Sequence, residues 1–416
     1  MCIDFLFNHY SLFRKQENGN PGSDGLELPN DFGSQIVADD LGEGRHIVVN
    51  SNGDIYVSLR IIKNGGGVVG LRDADKDGIA EEIKYFGQFT GTGIGIHNGY
   101  LYVGADTIIV RYKLLENELV PDLNHEVIAG GFVRENQHET KSITFDNAGN
   151  LFVTVGAPSN ACQDPDRTPG TPGLDPCPLL ERYGGIWKFD ANEQNQDQVR
   201  DGYRYATGIR NAVAVDWNKS VNGLFALQHG RDQLSQFWPD LYTDEDNAEL
   251  PAEEFFRVND GSDFGWPYCY YDHIQSKKLL NPEYGGDSKT EGRCKDKDQP
   301  IMAFPGHLAP NDLIFHTGKS FPEKYKNGAF ITFHGSWNRA PKPQKGFFVA
   351  FVPFNGDLPS GNWEIFADNF AGATNIASPS DAKHRPCGIA EGPDGSLYII
   401  DSVKGRIWNV FYQNKM

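Results

Sequence analysis

Gly53-Asp-Ile-Tyr-Val57, Gly99-Tyr-Leu-Tyr-Val103, Gly149-Asn-Leu-Phe-Val153, Gly223-Leu-Phe-Ala-Leu227, Gly328-Ala-Phe-Ile-Thr332 and Gly395-Ser-Leu-Tyr-Ile399 are six versions of one phrase. Each is a glycine, a variable residue and an apolar-aromatic run. Several follow an Asn/Asp turn: Asn50-Ser-Asn-Gly53, Asp146-Asn-Ala-Gly149 and Pro393-Asp-Gly395. Asn-Gly and Asp-Gly tolerate φ > 0, so each turn reads as a hairpin feeding a buried strand. Six copies predict six blades of four strands, roughly 40–50 residues each, with loop insertions taking up the rest. The fold expected is therefore all-β, a single six-bladed β-propeller over residues 30–416 behind a tail, 1–29. Long insertions are expected at 157–185, 232–262 and 270–308. A large β-sandwich or a seven-bladed ring are the alternatives.

Composition agrees with this. The 416 residues include 47 Gly, 24 Pro, 27 Phe and 17 Tyr, the glycine-rich turns and aromatic strands of an all-β chain. The net charge of −18 argues against nucleic acid or an anionic membrane as partner. Cys162 and Cys177 flank one polar loop, and Cys269 and Cys294 another. Both pairs read as disulfides of an oxidising compartment, hence a secreted protein. Cys387 reads as a small buried residue. The sequon Asn218-Lys-Ser220 is compatible with secretion. Residues 1–15 are too broken by polar side chains for a signal peptide.

Three groups of residues carry chemistry. The run Asp73-Ala-Asp75-Lys-Asp77-Gly-Ile79-Ala-Glu-Glu82 has the start of a calcium loop, with Asp73, Asp75, Asp77, the Ile79 carbonyl and Glu82 as ligands. Without EF-hand helices it is a structural loop between strands. Next, Arg45-His46, His138, Arg210-Asn211, His334 with Trp337, Asn338 and Arg339, and Arg385 each lie beside a strand, where a propeller places its axial loops. Together they predict a positive funnel for a flat polyanion. An indole face stacks on a ring, and arginines grip carboxylates. Finally, Gly230-Arg231-Asp232 closes a strand with carbonyls and a carboxylate, a second calcium site beside that anion.

The combination of Arg45-His46, Tyr205-Ala-Thr-Gly-Ile-Arg210-Asn211, Gly230-Arg-Asp232, Gly265-Trp-Pro-Tyr268, His307-Leu-Ala-Pro310, His334-Gly-Ser-Trp-Asn-Arg339 and Arg385-Pro-Cys-Gly388 resembles the sorbosone dehydrogenase-like quinoproteins. Within them it is most similar to fungal PQQ-dependent pyranose dehydrogenases. The resemblance runs from about residue 30 to the C-terminus. It implies a six-bladed propeller with PQQ and Ca²⁺ over the axial channel. It also implies oxidation of the anomeric carbon of an aldopyranose or keto-aldose, fucose- or glucosone-like. By that match Arg45, Arg210, Arg339 and Arg385 hold PQQ oxygens, and Trp337 or His334 contacts its face or edge. Carbonyls of Gly230 and Arg231 complete the calcium site, and His138 is the general base. A small sugar would be the substrate and a cytochrome or copper oxygenase the electron acceptor, with the chain a monomer. Lys141 and Ala212 stand where relatives more often carry Arg and Pro. The haem cytochrome and cellulose-binding module of some relatives are not expected here. The competing readings are a calcium-dependent lactonase-type hydrolase, which would hold its metal with axial carboxylates and amides, and a non-enzymatic binding propeller.

Overall fold

Each glycine-led phrase becomes the second strand of its own sheet. The computed structural model describes residues 25–413, and within them six antiparallel sheets surround one axis. In blade 1 the strands are Gly44–Val49, Ile55–Lys63, Gly66–Arg72 and Glu82–Phe86; in blade 2, Gly91–His97, Tyr100–Ala105, Ile109–Lys113 and Glu126–Gly130. Blade 3 contains Ile143–Phe145, Asn150–Val155, Gly185–Asp190 and Tyr203–Thr207, and blade 4 contains Ala212–Asn218, Gly223–Gln228, Glu253–Val258 and Met302–Phe304. Blade 5 comprises Pro310–Phe315, Gly328–Phe333, Phe348–Asn355 and Glu364–Ala367. Blade 6 takes Pro386–Glu391, Leu397–Asp401 and Ile407–Tyr412 from the end of the chain and Phe32–Ala38 from its beginning. That last pairing closes the ring by tying the beginning of the chain to its last blade.

The alternation of each second strand decides what it joins. Phe225 and Leu227 face blade 5, whereas Leu224 and Ala226 face blade 3. Leu101 and Val103 face blade 1, and Tyr102 faces blade 3. Successive side chains of a strand point to opposite faces, so a run apolar at every position is buried on both sides. The core accordingly lies in layers between neighbouring blades. Phe32, on the closing strand, packs edge-on against Phe321, Tyr325 and Phe366.

Two expected insertions are shorter than their stretches of sequence. The segment 232–262 contains the third strand of blade 4, Glu253–Val258, and 270–308 contains the hairpin Cys269–Asp272/Lys277–Leu280 and the strand Met302–Phe304. Disulfides Cys162–Cys177 and Cys269–Cys294 staple the insertions of blades 3 and 4, and Cys387 is free and buried. Cys2 and residues 1–15 lie outside the described residues. Leu26 and Leu28, ahead of residue 30, are already buried in the layer between blades 5 and 6. Among the described residues no helix is long and apolar enough to cross a membrane. Asn218 of the sequon is buried, its side-chain oxygen taken by Ser220 N and Oγ at 3.0 and 2.7 Å.

Candidate active site

The innermost strands share an irregularity. In five blades the first strand is bulged near its start, which leaves Arg45, Thr92, Val213, Asn311 and Cys387 without a partner across the ladder. A bulge adds a residue and re-aims side chains. Here it does so five times at one end of the axis. Four of those residues, Cys387 excepted, line an axial cavity of about 480 Å³ reached by all six blades. The residues that follow the second strands, Asp106, His229 and His334, complete the wall, with His138, Arg210, Asn211, Trp337 and Arg385. The structure thus brings Arg45, His138, Arg210, Asn211, His334, Trp337 and Arg385 together at one cavity, with His229, His307, Thr92 and Asn311, to which the sequence assigned no role. Their signal is positional: each adjoins the axial end of a first or second strand.

Arg210 is buried. Its Nη1 donates to the Gly230 carbonyl at 2.8 Å and its Nη2 to Asp232 Oδ2 at 2.7 Å, where Arg167 Nη2 also donates at 2.9 Å. Burial alone would raise the Asp232 carboxyl, but Arg210 and Arg167 together hold it below the ordinary carboxylate range. Arg385 donates through Nε to the His334 carbonyl at 3.2 Å, and through Nη2 to His334 Nδ1 at 2.9 Å and the Gly335 carbonyl at 2.6 Å. Because a guanidinium only donates, His334 Nδ1 is the acceptor. Its Nε2–H is then given to Ser402 Oγ at 2.6 Å, so both ring nitrogens are occupied.

His138 has a different freedom. Its Nδ1 lies 2.5 Å from the Ala157 carbonyl, an acceptor only, so Nδ1 carries the proton and Nε2 keeps a bare lone pair. Burial first, and the Arg210 charge second, push His138 down to about 3. His229 donates Nε2–H to the Pro310 carbonyl at 2.9 Å and is pushed down to about 4, chiefly by burial. Both imidazoles are neutral at physiological pH.

The walls are not uniformly positive, as a simple funnel would be. Asp106, Glu139, Asp232 and Glu253 also line the cavity. Glu253 accepts from Gly230 N at 2.9 Å and Ala309 N at 3.1 Å, and burial raises it to about 7. The positive charge is concentrated where Arg45 and Arg385 meet. Neither makes an ion pair among the described residues. Burial and then Arg45 lower Arg385 to about 10. Two unpaired guanidiniums in a partly enclosed space call for an anion. Arg210 Nε, Asn211 Oδ1 and Asn311 Oδ1 are buried without partners at the same cavity. This donor and acceptor set fits a flat polycarboxylate.

Several expected site residues lie elsewhere. Asn338 is buried, its Nδ2 against the His307 ring. Arg339 is buried away from the cavity, because the Gly306 carbonyl at 3.0 Å and Glu249 Oε1 at 2.6 Å claim its guanidinium. Trp337, half exposed, stands at the rim. The Arg231 side chain is buried in an ion pair with Glu283, outside the cavity, while Gly230 and Asp232 line it. Lys141 is buried, with Nζ on the Glu139 carbonyl, and burial lowers it to about 8.

The acidic loop connects the third and fourth strands of blade 1. Ligand oxygens of Asp73, Asp75, Asp77 and Glu81 all lie within 4.8 Å of one another. The fourth carboxylate is Glu81, not Glu82: Glu82 begins the next strand, opposite Arg72, and is exposed there. Ile79 donates its N–H to Asp77 Oδ1 at 2.8 Å. Among the described residues no such cluster forms in the axial cavity.

A family model described as TrAA12-like matches residues 26–413. The chain belongs to the TrAA12-like family. A pyrroloquinoline quinone-dependent sugar dehydrogenase of Hypocrea jecorina is 23% identical over 400 residues, 90% of this chain and 86% of that protein. A pyrroloquinoline quinone-dependent pyranose dehydrogenase of Coprinopsis cinerea is 24% identical over 427 residues, 92% of this chain but 54% of that one. An uncharacterized protein of Borreliella burgdorferi is 28% identical over 210 residues, 50% of this chain and 48% of that one. The TrAA12-like chain thus spans about half the length of two of these relatives. The holo pyranose dehydrogenase PQQ domain from Coprinopsis cinerea superposes with a TM-score of 0.74 at 19% identity, covering 93% of this chain and 97% of that one, a likeness of fold.

Proposed function

We propose that this TrAA12-like propeller is a PQQ-dependent sugar dehydrogenase that oxidises the anomeric carbon of an aldopyranose or keto-aldose. The observation that carries the reading is the pair of unpaired arginines, Arg45 and Arg385, set at one axial cavity beside a neutral histidine with a free Nε2. Arg45, Arg210 and Arg385 would hold the carboxylate and quinone oxygens of PQQ, with Asn211 and Trp337 beside them. Bound there, PQQ supplies a two-electron hydride acceptor. His138 Nε2 takes the proton of the C1 hydroxyl as the C1 hydride departs, which leaves a lactone. The Ala157 carbonyl keeps that imidazole in the right tautomer throughout. Arg210, fixed by Gly230 and Asp232, presents positive charge where negative charge develops.

A calcium ion beside the cofactor would use the Gly230 carbonyl, whose second lone pair remains when Arg210 takes the first. The Arg231 carbonyl and Asp232 are its proposed neighbours. The Asp73–Glu81 loop would hold a second, structural calcium. Electrons would leave to an external acceptor such as a cytochrome. The two disulfides support an extracellular setting.

Metal-stripped protein, supplied with PQQ and Ca²⁺ and a dye acceptor, tests the reading over a panel of aldoses, each component being omitted in turn. Turnover that needs PQQ is the expected result. Failure to bind PQQ would overturn the proposal.

A further inference from the structure

Arg167 does not line the cavity, yet it ties together two loops that do. It sits in the disulfide-stapled insertion of blade 3, about a quarter exposed. Its Nη2 donates to Asp232 Oδ2 at 2.9 Å and to Gln137 Oε1 at 3.2 Å. Its Nη1 donates to Gln233 Oε1. Gln137 precedes His138, and its own Nε2 donates to Asp166 Oδ2 at 3.1 Å, which returns the contact to the insertion. One guanidinium therefore joins the loop carrying the base, the stapled insertion and the turn that anchors Arg210.

The backbone at these joints is unusual. His138 has φ 53°, Arg167 φ 56° and Gln233 φ 66°. Side-chain-bearing residues rarely occupy this left-handed region, and they remain there only when surrounding contacts over-determine them. Arg167 bonds Gln233 directly and Gln137, the neighbour of His138, whose own ring is held by the Ala157 carbonyl.

We infer that Arg167 is a positioning residue for the proposed oxidation: it clamps the Gln137–His138 loop against the Asp232–Gln233 turn and so fixes His138 Nε2 relative to the Arg210 guanidinium. The inference rests on the functional reading above. Arg167 acts through Gln137 and Asp232, not on substrate. Lysine, whose three donors share one nitrogen, cannot span acceptors on two separate loops as a planar fork does.

The test compares wild type with Arg167→Met, Arg167→Lys and Gln137→Ala, the last removing only the link to the base loop. Two readouts are taken: amide hydrogen exchange of the apoprotein, and kcat and KM of the PQQ-loaded enzyme with an aldose. In Arg167→Met, exchange of segments 134–140 and 229–234 should rise at least tenfold while the blade strands keep their protection. Its kcat should fall about 100-fold with little change in KM, the scale of a small misplacement of reacting groups. Arg167→Lys should recover only part of either loss, and Gln137→Ala should loosen 134–140 alone. Unchanged exchange in those segments would overturn the clamp whatever the turnover. Raised exchange with unchanged kcat would make Arg167 structural only. A wild type that never turns over would overturn the functional reading, and with it the catalytic half of this inference, whereas exchange would still decide the clamp.

Discussion

His138 should remain a base in acid. A histidine at its ordinary pKa of about 6.5 is only about 3% neutral at about pH 5. With the folded value pushed down to about 3, it is neutral almost entirely at that pH. The sign follows from the cause: burial and the Arg210 charge both penalise imidazolium, so protonation needs more acid. At about pH 5 the available base therefore differs by about thirtyfold between the two cases. A bound polycarboxylate would pull the value back up, since an anion favours imidazolium. The loaded enzyme should thus show its acid limb between the apoprotein value and the ordinary one. The assay is kcat/KM against pH with a dye that does not itself titrate, paired with NMR of the His138 ring in apoprotein. The ring signal should stay in its neutral form down to about pH 5, and His138→Gln should lower turnover by about 10²–10⁴. An apoprotein titration centred near 6.5, or an acid limb at or above it, would refute the buried, tautomer-fixed base.

Other perturbations have equally definite outcomes. Arg210→Met leaves the Gly230 carbonyl and half of the Asp232 pairing unmet, and urea unfolding should show a loss of about 3 kcal/mol, near the lower end for breaking a buried ion pair. His334→Phe removes one of the two acceptors of Arg385 Nη2 and leaves the Gly335 carbonyl. Calorimetric PQQ affinity should fall about tenfold, as the guanidinium loses one of the contacts that aim it. Replacing Cys162 and Cys177 by serine opens a loop of sequence separation 15, which costs about 3 kcal/mol in the chain-entropy limit and should appear as a lower denaturant midpoint. Calcium should raise the Tm of the wild type, since ligand bound only by the folded state stabilises it, and Asp73→Asn should remove the part of that rise due to the acidic loop while PQQ binding is retained.

The fold was legible wherever one strand announced itself locally. A positive-φ glycine such as Gly53, Gly99, Gly149 or Gly395 starts or precedes a second strand, and the apolar run after it must be buried on both faces. What depended on distant partners was not legible. Glu253 and Glu254 open a strand that reads as polar loop, because their backbone and Lys278 partners come from other segments. The closing strand Phe32–Ala38 finds Ile407–Tyr412 at the far end of the chain. Arg339 resembles a ligand because it follows a strand end, yet Glu249 and the Gly306 carbonyl, distant in sequence, claim it. Glu82 was preferred to Glu81 for want of the strand register, which assigns Glu82 to Arg72.

The bulges explain why the site itself was half visible. A bulge near the start of a first strand inserts one extra residue at the axial end, and five blades carry five different residues there: Arg45, Thr92, Val213 and Asn311, which line the cavity, and Cys387, which is buried behind it. The device repeats while the residue does not, so no motif marks it. Only its one charged member, Arg45, stood out as a ligand, because a basic side chain beside an apolar strand is conspicuous in an acidic protein. Thr92 and Asn311 do comparable work with smaller groups. Thr92 Oγ1 accepts from Arg45 Nε at 3.3 Å and so helps aim that cation, while the Asn311 carbonyl takes His46 Nε2 at 2.7 Å and its side-chain oxygen remains free at the cavity. Blade geometry thus supplies the positions, and the identity at each bulge contributes to the charge pattern: basic from blade 1 and uncharged from the other four, with Arg385, just ahead of the first strand of blade 6, adding the second cation. An anion entering this cavity is oriented by that asymmetry before any single contact is made.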